Sequence, residues 1–378
     1  MPAEENKAIF RRYIEEVGNQ GNLELAGEIF DSYYVSHQPD GSTLQRGPED
    51  VKRFRAAQHV AFPDMRVSIE DQIAEGDKVV TRVTVRGTHQ GKFRGMAPTG
   101  KEVEINGIAI FRFSDEGKVV ETWESFDELS LMRQNIEQEL LVARRIQQAS
   151  LPKEVPTLEG WQFSPFYQPA REVGGDFYDF HLLSEGRLGL VVGDATGKGV
   201  PAALVMASTR SMLRAVAQAS NAPGEVLRRA NDLLATDIPP NMFVTCFYAI
   251  LDANSGSLTY ANAGHDLPYL HRRSGEAEEL RARGMPLGLM PGMSYEEKEI
   301  VLGEEESVLF YSDGLVEAHD PKGEMFGFPR LRALIAEHGK ERSLGDLLME
   351  ELYTFTGEGW EQEDDITLLT LERFPTRS

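Results

Sequence analysis

The spacing of hydrophobic residues changes several times along the chain. Ile9, Phe10, Tyr13, Ile14 and Val17 fall at helical intervals, which predicts an amphipathic helix over 6–17. Gly18 and the QGN after it stop that helix. Two more helices are predicted over 23–30 and 48–60, the second opened by a proline in its first turn. Strand-like runs follow at 65–70, 78–89, 102–113 and 119–126, with the turn SDEGK between the last two. Helices followed by an antiparallel meander describe an α+β domain over 1–130.

From 128 to 151 neither glycine nor proline interrupts the chain. Leu129, Ile136, Ala143 and Ser150 share one heptad position and Met132, Glu139 and Ile146 another. With Leu140 they form an imperfect coiled-coil seam. This predicts a helical linker over 131–151 that pairs two copies into a homodimer, the alternative being one long helix lying on its own domain.

Past Pro152 glycine-rich loops separate apolar strands, and this texture holds through a second domain, 152–378. Strands are expected at 162–167, 177–182, 188–192, 242–251, 257–262, 299–301, 307–312 and 366–372. Helices are expected at 201–218, 223–236, 329–338 and 344–352. Asn254–Ser255–Gly256 turns two of the strands into a hairpin.

Composition narrows the class. A chain of 378 residues with 41% hydrophobic positions has room for two cores. Its 61 acidic against 39 basic residues leave a formal charge of −22, which repels nucleic acid and anionic lipid. The single cysteine, Cys246, permits no internal disulfide. The N-terminus lacks a signal-peptide pattern and no apolar run spans a bilayer. The expectation is a cytoplasmic protein without nucleic-acid or membrane partners.

Acidic residues at strand ends carry the chemistry. Asp194 follows Leu188, Leu190, Val191 and Val192; Asp176 follows two glycines; Asp313 follows LFYS and precedes glycine; Asp364 and Asp365 open the run ITLLTL. One Asp-Gly is ordinarily a turn. Four such loops in one domain, each joined to an apolar strand, point to hard cations. Oxygen ligands suit Mg²⁺ or Mn²⁺, and no cysteine–histidine cluster exists for zinc. Two such ions roughly 3.5–4 Å apart activate water against a phosphoryl group. No GxxxxGK[ST], GxSxG or HExxH pattern offers another chemistry.

Two resemblances sharpen these expectations. The stretches SHQPDG, GPEDVKRFRAAQHVAFPDM, EGDKVVTRVTVRGTHQGKF and GKVVETWESFDELSL resemble the SnoaL-like branch of the nuclear-transport-factor-2-like fold over about 5–130. That implies a cone-shaped half-barrel with an apolar pocket, for which His37, His59, His89, Trp123, Glu124 and Asp127 are the candidate lining. Such a pocket binds a small-molecule ligand or supports cyclase- or isomerase-like catalysis.

EVGGDFYD, GDATGKGVPAAL, NAGHDLP, GMPLG, YSDGLVEA and DDITLL, in that order over about 140–373, resemble the PPM-type metal-dependent serine/threonine phosphatases in the SpoIIE/RsbU-like branch. The resemblance implies an α-β-β-α sandwich of two antiparallel sheets with a Mn²⁺ or Mg²⁺ pair at one end. Asp194 would bridge both ions and the carbonyl of Ala195 would add a ligand. Asp313 would hold one ion, while Asp176 and Asp364 would serve the other or a more labile third. Asp365, standing where asparagine is frequent, would join these metal ligands, and Arg171 would fork onto the substrate phosphate. Thr196 and Gly197 follow Ala195 where the wider family often has histidine, so no general acid is assigned. His265 is read as structural. The expected activity is hydrolysis of phosphoserine or phosphothreonine on a partner protein of the anti-sigma-factor-antagonist type, regulated by the N-terminal domain. The alternatives are a catalytically weak signalling scaffold and a bifunctional protein with an active N-terminal domain.

Overall fold

The computed structural model describes residues 2–38, 41–127, 129–338 and 342–375, with the backbone alone over 129–135. Two compact units divide between Glu139 and Leu140.

In the first unit α1 (Ala3–Arg12) runs on as π-helical turns over Tyr13–Asn19, and α2 (Ala26–Ile29) follows a short 3₁₀ turn. The chain then forms β1 (Phe30–His37), β2 (Thr43–Arg46), α3 (Pro48–Ala61), β3 (Arg66–Glu75), β4 (Lys78–Thr88), β5 (Glu102–Phe113) and β6 (Val119–Phe126). One six-stranded sheet results, ordered β2-β1-β6-β5-β4-β3. The expected all-antiparallel meander is corrected here, because β1 pairs parallel with β6 and antiparallel with β2. Strand β1 escapes pattern reading because its register shifts between Phe30 and Val35, which breaks the two-residue alternation. Further shifts in β3 and β5 help the sheet bend. Its core is aromatic: Phe10, Tyr13, Phe30 and Phe111 meet with ring centroids 4.8–6.2 Å apart.

Helix α4 (Leu129–Ser150) crosses the division between the units. The heptad side chains Leu129 and Met132 lie outside the described residues; Ile136 and Ile146 are exposed in the single chain.

The second unit contains β7 (Trp161–Gln168), β8 (Asp176–Leu182), β9 (Arg187–Ala195), α5 (Val200–Ala217), α6 (Pro223–Asp237), β10 (Val244–Asp252) and β11 (Ser257–Ala263). It continues with β12 (Tyr269–His271), β13 (Ala277–Glu279), β14 (Glu297–Val301), β15 (Ser307–Tyr311), α7 (Gly327–Glu337), α8 (Leu344–Thr356) and β16 (Ile366–Arg373). Two five-stranded sheets form, ordered β14-β11-β10-β9-β8 and β13-β12-β15-β16-β7, with every pairing antiparallel. Strands β12 and β13, three residues each, are too short to leave a period in the sequence.

Burial explains the apolar runs. Leu188, Leu190 and Val192 of β9 pack with Phe163, Phe310, Leu369 and Leu371 of the other sheet. Val191 and Ala195, on the opposite face, meet α5 and α6 through Met206, Leu213 and Leu227. Helices α7 and α8 cover the far side of the second sheet through Leu331, Ile335, Leu348 and Leu352. A strand buried on both faces reads as continuous rather than alternating. No helix among the described residues is long and apolar enough to cross a membrane.

Candidate active site

The ladder between β8 and β9 sets Asp176 directly opposite Asp194. From the second sheet, β15 delivers Asp313 into a 3₁₀ turn two residues past its end, and Asp364 and Asp365 immediately precede β16. Local rules explain the loops. Gly197 and Gly199 hold φ of 95° and 74° around Lys198, backbone that favours glycine. A Cβ on Gly175 would lie 2.5 Å from the carbonyl oxygen of Ala195 and 3.1 Å from Asp194 Oδ1. The Ala195 carbonyl and the Asp194 carboxylate therefore share one side of that loop.

Electrostatics ties the acids together. Asp194 is pushed up to about 7 by burial and then by the charges of Asp313, Asp364 and Asp365. Asp176, 1% exposed, rises well above the usual carboxylate range through burial, Asp194 and Asp365. Asp313 is raised to about 6 by burial, Glu317 and Asp364. Asp266 reaches about 7 through burial, Asp313 and Glu317. Asp266 and Glu317 were missed as members of the acid cluster, although NAGHD and the i,i+4 spacing of Asp313 and Glu317 were there to suggest it.

The acids have unequal partners. Thr367 Oγ1 donates to Asp176 Oδ2 at 2.6 Å. Asp364 pairs with Lys198 Nζ at 2.9 Å. Asp365 spends its oxygens on backbone: Oδ1 accepts from Ala170 N at 2.8 Å, and Oδ2 from Gly175 N at 2.6 Å and Asp176 N at 3.3 Å. It fastens the loop that carries Asp176. Arg171 in that loop is exposed, with no hydrogen bond or ion pair among the described residues.

A clamp from α4 completes the loop. Gln147, 6% exposed, donates from Nε2 to the Gly174 carbonyl at 2.7 Å and accepts from the Gly174 N–H at 3.1 Å. Nothing in the sequence distinguishes this glutamine from its neighbour Gln148.

Among the described residues no three Asp, Glu, His or Cys side chains already stand together as an ion cage. The donor set nevertheless fits hard cations. Several largely buried carboxylates face one another with Lys198 as a nearby ammonium, and such repulsion is relieved by a dication or a proton.

His265 has its Nδ1 2.8 Å from Thr245 Oγ1, and its backbone is held by Asn262 at 2.8 and 2.9 Å. Burial lowers its pKa to about 4. An unfolded histidine takes its proton near 6.5, so acid favours unfolding between about 6.5 and 4. The stability that neutral His265 contributes, up to about 3 kcal/mol, is lost as pH falls through that window. Chemical unfolding of His265→Gln against wild type at several pH values checks this; the variant should lack that part of the acid slope.

In the first unit two adjoining cavities lie under the sheet. Glu124 lines both and His37 lines the outer one. His59, His89, Trp123 and Asp127 are in neither lining, which corrects four candidates. Trp123 lies next to Glu124 on β6, so strand alternation turns it to the other face, stacked on His37 at 4.5 Å. His59 sits beside Gly21, His89 stacks on Phe62, and Asp127 is exposed past the end of β6.

Comparison with known proteins agrees with these folds. The family model of stage II sporulation protein E (SpoIIE) matches residues 184–374, and that of the SnoaL-like polyketide cyclases matches 8–135. Protein IcfG of a Synechocystis strain is 33% identical over 62% of this chain and 41% of its own length. Phosphoserine phosphatase RsbU of Bacillus subtilis is 28% identical over 64% of this chain and 72% of its own. The chain thus spans only about two-fifths of IcfG. The SiaA-PP2C domain of Pseudomonas aeruginosa superposes with a TM-score of 0.56 at 25% identity, covering 65% of this chain and 99% of that domain. The chain belongs to the SpoIIE family of PPM-type phosphatases, and it carries a SnoaL-like domain ahead of the phosphatase domain.

Proposed function

We propose that the protein is a metal-dependent phosphatase acting on phosphoserine or phosphothreonine of a partner protein. The observation that carries this is the set of loop carboxylates, from both sheets, whose charges raise one another's pKa. Asp194, the Ala195 carbonyl and Asp313 would hold one Mn²⁺ or Mg²⁺, with Asp176 and Asp364 serving a second or a more labile third. Bound there, the ions supply Lewis acidity, neutralising charge on the phosphoryl oxygens and making water acidic enough to attack at neutral pH.

The chain's own residues supply position. Thr367 and Gln147 fix Asp176 and Gly174 in its loop, and Asp365 holds the same loop through three N–H groups. Arg171, unpaired among the described residues, is available as a fork for a phosphate. Arg171→Ala should raise KM for a phosphoserine peptide about tenfold while leaving kcat within a few-fold; steady-state kinetics checks the split.

The substrate is read as an anti-sigma-factor-antagonist type of protein, the setting as cytoplasmic and the assembly as a homodimer through α4. The exposed Ile136 and Ile146 on that helix support the last point. A link from α4 to Gly174 through Gln147 supports regulation through the helix. Full-length protein should release phosphate from phosphoserine peptide with Mn²⁺ and not with chelator. A weak scaffold is the second reading, favoured by the lack, among the described residues, of three Asp, Glu, His or Cys side chains already set as an ion cage. It predicts partner binding with no metal-dependent turnover.

A further inference from the structure

The two cavities of the N-terminal unit share Tyr13, Phe54, Arg55, Phe93, Arg94, Glu124 and Phe126 as a common wall. The inner chamber, about 110 Å³, is lined mainly by aliphatic and aromatic side chains. The outer one, about 590 Å³, is more polar. Arg55 stands at their junction, 9% exposed.

Its hydrogen-bond partners are neutral. Nε and Nη2 donate to the Tyr13 hydroxyl at 2.9 and 2.8 Å, and Nη1 donates to Gln58 Oε1 at 2.9 Å. A guanidinium has five N–H groups, so two remain. Among the described residues no carboxylate lies within ion-pairing distance of it. Across the same wall Glu124 makes no hydrogen bond among the described residues, although the two groups feel each other's charge. A buried guanidinium without a bonded counter-ion is costly. A cavity with a guanidinium holding spare donors and a carboxyl at its waist, over an apolar floor, has the form of a ligand site.

We propose that this cavity is a receptor site for a small molecule with an apolar, ring-sized body and a single carboxylate, seated between Arg55 and Glu124. The planar guanidinium offers its spare N–H groups to the carboxylate. Burial raises the pKa of Glu124, which lessens its repulsion of an anion held on the guanidinium. The apolar body fills the chamber beneath. The inference goes beyond the phosphatase reading and does not depend on it.

Calorimetric titration of the full-length protein with 2-naphthoate and with neutral, similarly shaped 2-naphthamide tests the site. Naphthoate should bind at least about tenfold more tightly, as expected for a charge-assisted contact. Arg55→Met should remove that preference and leave amide binding in place. Ile105→Trp, which fills the inner chamber, should abolish both while leaving the unfolding temperature near that of wild type. If Arg55→Met does not fold, the wild-type preference and the Ile105→Trp result decide. Equal affinity for the two probes, an undiminished response in Ile105→Trp, or no binding of naphthoate, benzoate or decanoate at about 1 mM would overturn the proposal.

Discussion

Asp194→Asn should fold more stably than wild type in chelator, yet hydrolyse phosphoserine peptide at least about a hundredfold more slowly with Mn²⁺. The two effects share one cause. Asp194 is largely buried and repelled by Asp313, Asp364 and Asp365, so without a cation its charge destabilises the fold. Removing the charge should recover about 1–3 kcal/mol. The same charge is what attracts a cation. Saturating Mn²⁺ at about a hundred times its Kd would stabilise wild type by about 2.7 kcal/mol and the variant by much less. Thermal unfolding with and without Mn²⁺, beside steady-state rates, reads all of this. A variant that keeps wild-type turnover contradicts the assignment.

Gln147→Ala should cost both stability and rate. The glutamine amide satisfies both backbone groups of Gly174 from inside the protein. Truncation leaves two buried groups unmatched, at about 1–3 kcal/mol each. It also releases the glycine two positions ahead of Asp176. Small displacements of a positioning loop act on the chemical step, so kcat should fall at least about tenfold with KM little changed. Gln147→Glu keeps the acceptor for the Gly174 N–H but brings a carboxylate towards Asp176 and Asp365, and it should be no better than alanine. Unfolding free energies and a kcat against KM comparison in the full chain check both variants. Equal losses in kcat for Gln147→Ala and Gln148→Ala would argue against a clamp.

These two sites also show what a sequence displays and what it conceals. Asp194 announces itself, because Leu188–Val192 is a buried strand and a charge at its end needs a partner. The same logic found Asp176, Asp313 and the Asp364–Asp365 pair, since each adjoins an apolar run whose burial fixes its place. The sandwich was legible for that reason, down to the hairpin at Asn254–Gly256. Gln147 is different: its role depends on which backbone group folds back against α4, and that is a tertiary fact. The division of labour between Asp364 on Lys198 and Asp365 on three N–H groups is hidden likewise, since adjacent identical residues carry no distinguishing pattern. In the N-terminal unit histidines drew attention as chemical residues. The structure instead turns Arg55 inward against Tyr13, at a position where helical periodicity alone reads an arginine as solvated. Strand β1 was lost to its irregular register, and β12 and β13 to their length.

Anomalous diffraction from crystals of the full-length protein soaked in Mn²⁺ tests the central claim most directly. The account predicts strong peaks in contact with a carboxylate oxygen of Asp194, with Asp313 or Asp176 completing the ligand sets, and their loss in Asp194→Asn. Peaks only at surface carboxylates, or none beside Asp194 at saturating Mn²⁺, would contradict it.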